Sequence, residues 1–277
     1  MYKTISTGDI GHGKSLKEAT EAVSKVGFEG YWLNITMDSK IPAEETKEIL
    51  AKFNLKAAGF SLPVDFRKDE ETFESGLESL EKYAKYAKDI GARRCVTWIL
   101  PTHATLDYNA NFELHRTRLK KCSEILKEYD ILFGLEFVGT PSIRKQAKNI
   151  FIYSLDKMLT LCDAIGTGNV GILVDIWHWD LAGHTRADFA KFKSPDQVVL
   201  VHINDAPLGV PVDEQIDSVR KLPGETGVLN IKDFFDGLKS IGYKGPVLVE
   251  PFEKILREMT FEEALTRTMD SINRVWS

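Results

Sequence analysis

The sequence predicts an α/β protein, a single-domain (β/α)8 barrel (TIM barrel), on three observations. Short apolar runs alternate eight times with longer amphipathic segments over the 277 residues. The apolar runs are near-continuous rather than alternating, the pattern of strands buried on both faces of a parallel sheet. No proline- or serine-rich linker and no low-complexity stretch divides the chain, so residues 1–277 read as one domain of a length common for such barrels. A doubly wound open sheet is the competing architecture.

The predicted strands are, in order, Lys3–Thr7, Gly30–Ile35, Lys56–Leu62, Arg94–Ile99, Ile131–Phe137, Val170–Asp175, Val198–Ile203 and Val247–Glu250. Between the first two, "SLKEATEAVSKVGFEG" sets Leu16, Ala19, Val23 and Val26 on one helical face and stops at Gly27. After the third, "ETFESGLESLEKYAKYAKDIGA" does the same with Phe73, Leu77, Leu80, Tyr83 and Ala87 and stops at Gly91. "IKDFFDGLKSIGYKG" repeats the device before the last strand.

Composition narrows the function classes. With 43% hydrophobic and 28% charged residues the chain reads as an ordinary globular protein. A formal charge of -5 without a basic stretch disfavours nucleic acid, whose phosphates call for a basic face. The three cysteines, Cys95, Cys122 and Cys162, lack C-x-x-C spacing and fit a reducing compartment. Neither a leader-like start nor a membrane-length apolar run is present in the sequence. A cytoplasmic protein without a membrane partner is the expectation.

The chemical signal lies where strands end. "ILFGLEFVG" ends its apolar run at Glu136, "GILVDIW" at Asp175, "VVLVHIND" at His202 and Asp205, and "GPVLVEPF" at Glu250. In a (β/α)8 barrel, catalytic groups gather at the C-terminal ends of several strands. A lone Asp after a strand is commonly a helix cap or turn former, and Asp205 and Asp180 fit that role as well as a site role. Glu, Asp, His and Glu at equivalent places on four successive strands form a more specific pattern. Three carboxylates and an imidazole without sulfur suit one hard divalent ion. Mn2+ or Mg2+ is favoured, with Co2+ and Zn2+ as alternatives.

Aromatic and imidazole groups collect at the same ends. His12 follows the first strand, His103 the fourth, and His178 and His184 the sixth, while His115 falls within a helix. Trp32, Trp98, Trp177 and Trp179 also fall at strand ends, where indoles can stack on the C–H face of a sugar or cyclitol or simply close the barrel. Trp177, between Asp175 and His178, is read as pocket wall; Trp179 fits either role.

"VDIWH", "VHINDAP" and "LPGETGVLNIKDFFDGLKSIGYKGPVLVEPF" resemble the xylose-isomerase-like barrel superfamily, and within it the sugar (phosphate) isomerases and epimerases, including inosose isomerases, ketose 3-epimerases and related dehydratases. The resemblance covers most of the chain and is most specific from Glu136 to Glu250. It implies one divalent metal, often Mn2+, held by Glu136, Asp175, His202 and Glu250. It also implies substrate contacts from His178 and Arg220, to which Trp177, Trp98 and His12 are added from their positions at strand ends. Members of the group often form dimers or tetramers, so a homo-oligomer is compatible with the reading.

Two departures from the pattern carry information. Ketose 3-epimerases usually place an arginine six residues after the metal histidine; here that position is Leu208, and "PLGVPVDEQIDSV" delays the arginine to Arg220, as in the inosose branch. The zinc-dependent abasic-site endonucleases of the same superfamily need further histidines that "GFSLP" and "SVRKLPG" do not supply.

The expected activity is isomerisation or epimerisation of a sugar, keto-sugar or inosose. A proton on the carbon beside a carbonyl is removed with the enediolate stabilised by the bound metal, and Glu136 and Glu250 act as base and acid. A dehydratase or lyase shares that first step, and a non-catalytic carbohydrate-binding barrel is the third reading. Arg144, Lys145, Arg220 and Lys221 are the basic candidates for a phosphate group; a non-phosphorylated carbohydrate or cyclitol is the favoured partner.

Overall fold

The computed structural model describes residues 1–276. Eight parallel strands close into a barrel: β1 (Tyr2–Ile5), β2 (Gly30–Leu33), β3 (Lys56–Ser61), β4 (Arg94–Ile99), β5 (Leu132–Phe137), β6 (Val170–Asp175), β7 (Val198–Ile203) and β8 (Pro246–Val249). Each strand pairs with its neighbours in sequence, and β8 closes the ring on β1 with Tyr2 opposite Pro246. The sequence places all eight correctly, within two residues at every end.

Helices follow the strands and pack their apolar faces on the outside of the ring. Helix Leu16–Lys25 buries Leu16, Ala19 and Val23, and helix Glu70–Ile90 buries Phe73, Leu77, Leu80 and Ala87. The latter starts where Asp69 accepts a hydrogen bond from the Thr72 amide and stops at Gly91, whose φ of 83° only glycine adopts without strain. The unit after β6 differs from the regular alternation. Its helix is only Ile176–Leu181, followed by Gly183 at positive φ and the 3-10 turns Arg186–Lys191 and Pro195–Gln197. This short helix places Trp177 and His178 beside the barrel mouth instead of carrying them away along a long helix.

Inside the ring a second, smaller apolar cluster of Trp32, Ala58, Val96, Leu173, Val199, Leu200 and Leu248 fills the barrel. Gly134 on β5 belongs to this packing, since a Cβ there would come within 2.9 Å of Val199 and 3.0 Å of Val96. The strand period of two then lifts the next inward residue to the mouth. Leu173 is followed by Asp175, Leu200 by His202, Leu248 by Glu250 and Gly134 by Glu136. The apolar plug beneath thus sets the height of the four groups above it.

Cys95, Cys122 and Cys162 are buried free thiols. No helix among the described residues is long and apolar enough to cross a membrane. A two-stranded ribbon, Thr102–His103 against Asn149–Ile150, ties the loops after β4 and β5 together. Beside it His115, on helix Tyr108–Glu128, is buried between Phe66 and Phe151, with Nδ1 2.8 Å from the Asn111 carbonyl.

Burial pulls the His115 pKa down to about 4; the Asn111 bond opposes this and the Arg67 charge reinforces it. The folded value lies below the ordinary 6.5, so the stability contributed by the neutral ring is complete above that pH and is lost as pH falls through the folded value. Stability should therefore drop by about 3 kcal/mol between pH 7 and pH 4 on account of this one group. Urea unfolding of wild type and His115→Leu across that range checks it: the variant should lose less stability toward acid, and parallel curves would contradict the assignment.

Candidate active site and metal centre

Glu136, Asp175, His202 and Glu250 converge at the mouth, each offering one ligand atom, and those atoms all lie within 4.8 Å of one another. From His202 Nδ1 the distances are 3.7 Å to Glu136 Oε1, 3.9 Å to Asp175 Oδ2 and 3.4 Å to Glu250 Oε2. Register explains the meeting: Asp175 sits opposite His202 across β6 and β7, and the Glu250 amide extends β8 by bonding to the Ile203 carbonyl at 3.2 Å.

Charge governs this cluster. Burial alone would depress the His202 pKa, but Glu250, Glu136 and Asp175 outweigh it and raise the group to about 9. Glu136 is pushed well above the usual carboxylate range, first by burial and then by the charge of Glu250. Asp175 goes the other way. Burial opposes its ionisation, yet Arg220, His178 and His202 hold it down to about 2. Its Oδ1 accepts bonds from the Trp177 amide at 2.7 Å and Asn204 Nδ2 at 3.1 Å, and its Oδ2 accepts from Arg220 Nη1 at 2.6 Å.

Arg220 is buried and central. Nη1 also donates to Glu250 Oε2 at 2.9 Å, Nη2 donates to Asp217 Oδ1 at 2.9 Å, and Nε donates to the Asp217 carbonyl at 2.9 Å. Nη2 also lies 3.2 Å from His178 Nε2. A guanidinium can only donate, so Nε2 is the acceptor and the ring proton sits on Nδ1, 3.4 Å from Thr140 Oγ1. Burial lowers the His178 pKa against the pull of Asp175. The loop that brings Arg220 here is held by Asp205, whose carboxylate accepts from the amides of Ala206, Thr226, Gly227 and Leu229 at 2.7–3.1 Å. Asp205 is thus the turn-former of the two readings open from sequence. Asp180 is an exposed residue of the short helix.

A cavity of about 720 Å³ opens onto this centre, lined on one side by Glu136, Leu173, His202 and Glu250 and on the other by the segment from Ser61 to Lys68, with Trp98 between. Trp98 is 45% exposed and presents its ring to the cavity rim. The other four expected substrate contacts are placed elsewhere: Arg220 and His178 are buried behind the ligand groups, held by Asp175, Glu250 and Asp217, and do not line the cavity. Trp177 is fully buried, its ring 5.2 Å from the Arg220 guanidinium, because the short helix turns it into the core behind that residue. His12 bonds through Nε2 to the Leu256 carbonyl at 2.9 Å and packs on Phe261, outside the cavity lining. Trp32 is barrel interior, and Trp179 stacks on Phe189 at 4.5 Å in the outer core. His103 and His184 accept backbone amide bonds.

Other residues here carry no signal in the sequence pattern. Asp217 and Thr140 orient Arg220 and His178 from irregular loops, and Asn204 is visible only as the neighbour of His202 and Asp205 in "HIND". Asp9, in the loop after β1, feels the charges of Glu250, His202 and Arg220; burial and then Glu250 push its carboxyl up to about 7.

The donors present fit a hard divalent cation. Glu136 Oε1 and His202 Nδ1 are buried without any hydrogen-bond partner, a costly arrangement that an ion between them would relieve. With all three carboxylates ionised, the guanidinium and the charged His202 ring together fall one positive charge short, which a bound cation would supply.

Fold and centre together define a (β/α)8-barrel protein with a four-residue candidate cation site at the C-terminal mouth. The family model described as xylose isomerase-like TIM barrel matches residues 16–273, and the chain belongs to that family. Among curated relatives, an inosose isomerase of Halalkalibacterium halodurans is 28% identical over 162 residues, 57% of this chain and 53% of that protein. The L-ribulose-5-phosphate 3-epimerase UlaE of Escherichia coli is 22% identical over 201 residues, 72% of this chain and 64% of that protein. The match therefore spans about half of the first relative's length and under two thirds of the second's. Among solved structures, a xylose isomerase domain protein from Alicyclobacillus acidocaldarius superposes with a TM-score of 0.87 at 24% identity, covering 99% of this chain and 98% of that one. The IOLI protein, solved with a zinc atom, gives 0.81 at 20% identity with both chains fully covered. At these identities the structures speak to the fold.

Two substitutions separate a charge-strained ligand from a charge-balanced one. Asp175→Asn removes the closest counter-ion of a buried arginine and should cost about 3–5 kcal/mol in chelator. Glu136→Gln removes a buried carboxylate short of partners and should leave the metal-free protein as stable or up to about 2 kcal/mol more stable. Both should weaken divalent-ion binding at least about tenfold. Melting with and without chelator, and calorimetric titration with Mn2+ and Zn2+, read the two effects separately. Equal destabilisation by both variants would refute the contrast.

Proposed function

We propose that the protein is a divalent-metal-dependent isomerase or epimerase of a sugar, keto-sugar or inosose. The observation that carries the reading is the placement of Glu136 and Glu250. They stand on either side of β6 and β7, lie 3.7 and 3.4 Å from His202, and line one cavity. A centre that only bound carbohydrate would not need both. The isomerase and epimerase names of the curated relatives support the same class.

Glu136, Asp175, His202 and Glu250 would hold the ion, with Mn2+ favoured by the oxygen-rich donor set and Zn2+ as the alternative, the metal found in the IOLI structure. When bound, it supplies positive charge beside the carbonyl and neighbouring hydroxyl oxygens of the substrate, which acidifies the adjacent C–H. Asp175 has both oxygens committed to protein donors, so it serves as an anchored ligand and not as a proton carrier. The two glutamates remain. One takes the proton from the carbon beside the carbonyl, and the other returns a proton from its own direction. Return to the opposite face of the same carbon is epimerisation; return to the neighbouring carbon is isomerisation. Arg220 and His178, fixed by Asp217 and Thr140, stand buried behind the cavity and orient Asp175 and Glu250, while Trp98 offers an apolar face to the ring or chain carbons. Trp177 backs Arg220, and His12 fastens the first loop to the C-terminal segment. The free thiols fit a reducing, cytoplasmic setting.

Incubation of the metal-loaded protein with ketoses, keto-sugars and inososes in heavy water tests the reading. Deuterium should enter at the carbon beside the carbonyl, and Glu250→Gln should slow that exchange by about 10²-fold or more at saturating metal. Net loss of water would mark a dehydratase, and absence of exchange with every member of the panel would leave only a binding role.

A further inference from the structure

None of the basic residues that the sequence offers for an anionic substrate group lines the cavity, and three of the four are ion-paired. Arg144 donates to the Gly139 carbonyl at 2.9 Å and lies over Tyr153; Lys145 pairs with Asp213 at 3.3 Å, Lys221 with Glu253 at 2.8 Å, and Arg220 with the carboxylates of the centre. Two different cations line the cavity. Arg67 and Lys68 lie in the loop after β3, on the side facing away from the metal-ligating strands, and neither has a carboxylate within ion-pair distance among the described residues.

Arg67 is held rather than free. Its guanidinium lies 3.9 Å from the Trp98 ring centre and 4.2 Å from that of Phe66, and Nη2 donates to the Trp98 carbonyl. Its Nε is buried without a hydrogen-bond partner. Burial lowers its pKa to about 10, with Asp65 opposing. Asp65 also lines the cavity, but its Oδ1 accepts from the Arg67 backbone amide at 3.2 Å and forms no ion pair with the guanidinium. A planar cation clamped by two rings, partly stripped of water and lacking a counter-ion suits a two-oxygen anionic group.

We propose that the substrate carries a phosphate or carboxylate at the end remote from its carbonyl, and that Arg67, assisted by Lys68, binds that group. The inference rests on the isomerase or epimerase reading for where the carbonyl lies. It replaces the neutral carbohydrate favoured from sequence with an anionic one. The cavity is then polarised, with an acidic cation-binding wall at one end and an unpaired arginine at the other.

The first test is independent of catalysis. Inorganic phosphate and acetate are titrated into the metal-free protein at low salt by calorimetry, with tryptophan fluorescence of wild type against Trp98→Phe as a second readout. Wild type should bind at least one of them. Arg67→Met, which keeps the apolar stack, should weaken that binding about tenfold or more, and Lys68→Ala, an exposed change, about two- to fivefold. Binding unchanged in both variants, or no binding of either anion by wild type, overturns the proposal. The second test compares kcat/KM for ketose phosphates, keto-uronates and their neutral counterparts. The preferred arm identifies which anion is read, and equal kcat/KM for the neutral compounds overturns the proposal while leaving the isomerase reading intact. Conversely, phosphate or acetate binding that depends on Arg67, without deuterium exchange on any substrate, removes the isomerase reading and keeps the anion site.

Discussion

Three carboxylates crowded around one imidazole at the end of an apolar barrel are the constraint on which the rest of this structure turns. Like charges so close and so buried repel, and water is not there to screen them. The chain meets the problem in part with Arg220, which touches Asp175 and Glu250 at once. Glu136 has no such partner on Oε1, and neither has His202 on Nδ1. The repulsion left over would be relieved by a divalent cation, a single species able to answer both of these atoms. Stability and affinity for such an ion would therefore be opposed at Glu136 and aligned at Asp175.

Much of the remaining architecture serves to keep Arg220 in place. The residue belongs to a long excursion between β7 and helix Ile231–Ser240, with no helix or strand of its own to fix it. Asp205 substitutes for regular structure by gathering four backbone amides, and a bridge between Asp205 and Lys221 pins the base of the loop in both directions at 2.8 Å. Trp177 closes the space behind the guanidinium, which is the reason its ring is buried and not part of the cavity wall. The short helix after β6 serves the same end. It caps itself on Asp175 and delivers His178 to the Arg220–Asp217 pair within three residues.

The four central groups were legible in the sequence because the barrel writes them in its own period. Each follows an interior position by two residues on a run otherwise too apolar to tolerate it, so both position and chemistry stand out. The eight strands were legible for the same reason. Residues that act from loops were not. Asp217, Thr140 and Asp9 sit in segments without periodicity, where an acidic or hydroxyl side chain looks like any solvated turn residue, and only the closed ring brings them to the mouth. Trp177 and His12 show the converse error. Their nearness in sequence to a strand end suggested the cavity, but a side chain at the start of a short helix, or in a glycine-rich loop, points wherever the next contact directs it.

Arg67 belongs to the class that pattern hides most completely. It lies in "DFRKDE", where charges of both signs are crowded together, and such a stretch ordinarily means a solvated helix start. Asp69 does cap helix Glu70–Ile90 there. Phe66 and Trp98 come from separate βα units, so no local reading could foresee that they enclose the guanidinium. Enclosure changes its chemistry: an exposed arginine is screened by water and discriminates weakly, whereas one clamped between rings has its donors aimed in advance and recovers the cost of lost hydration only from an anion of matching shape. A charge that is costly in the empty cavity becomes a basis for selectivity when the cavity is filled. The same logic, with the sign reversed, operates at Glu136, and the two ends of one cavity thus demand opposite charges.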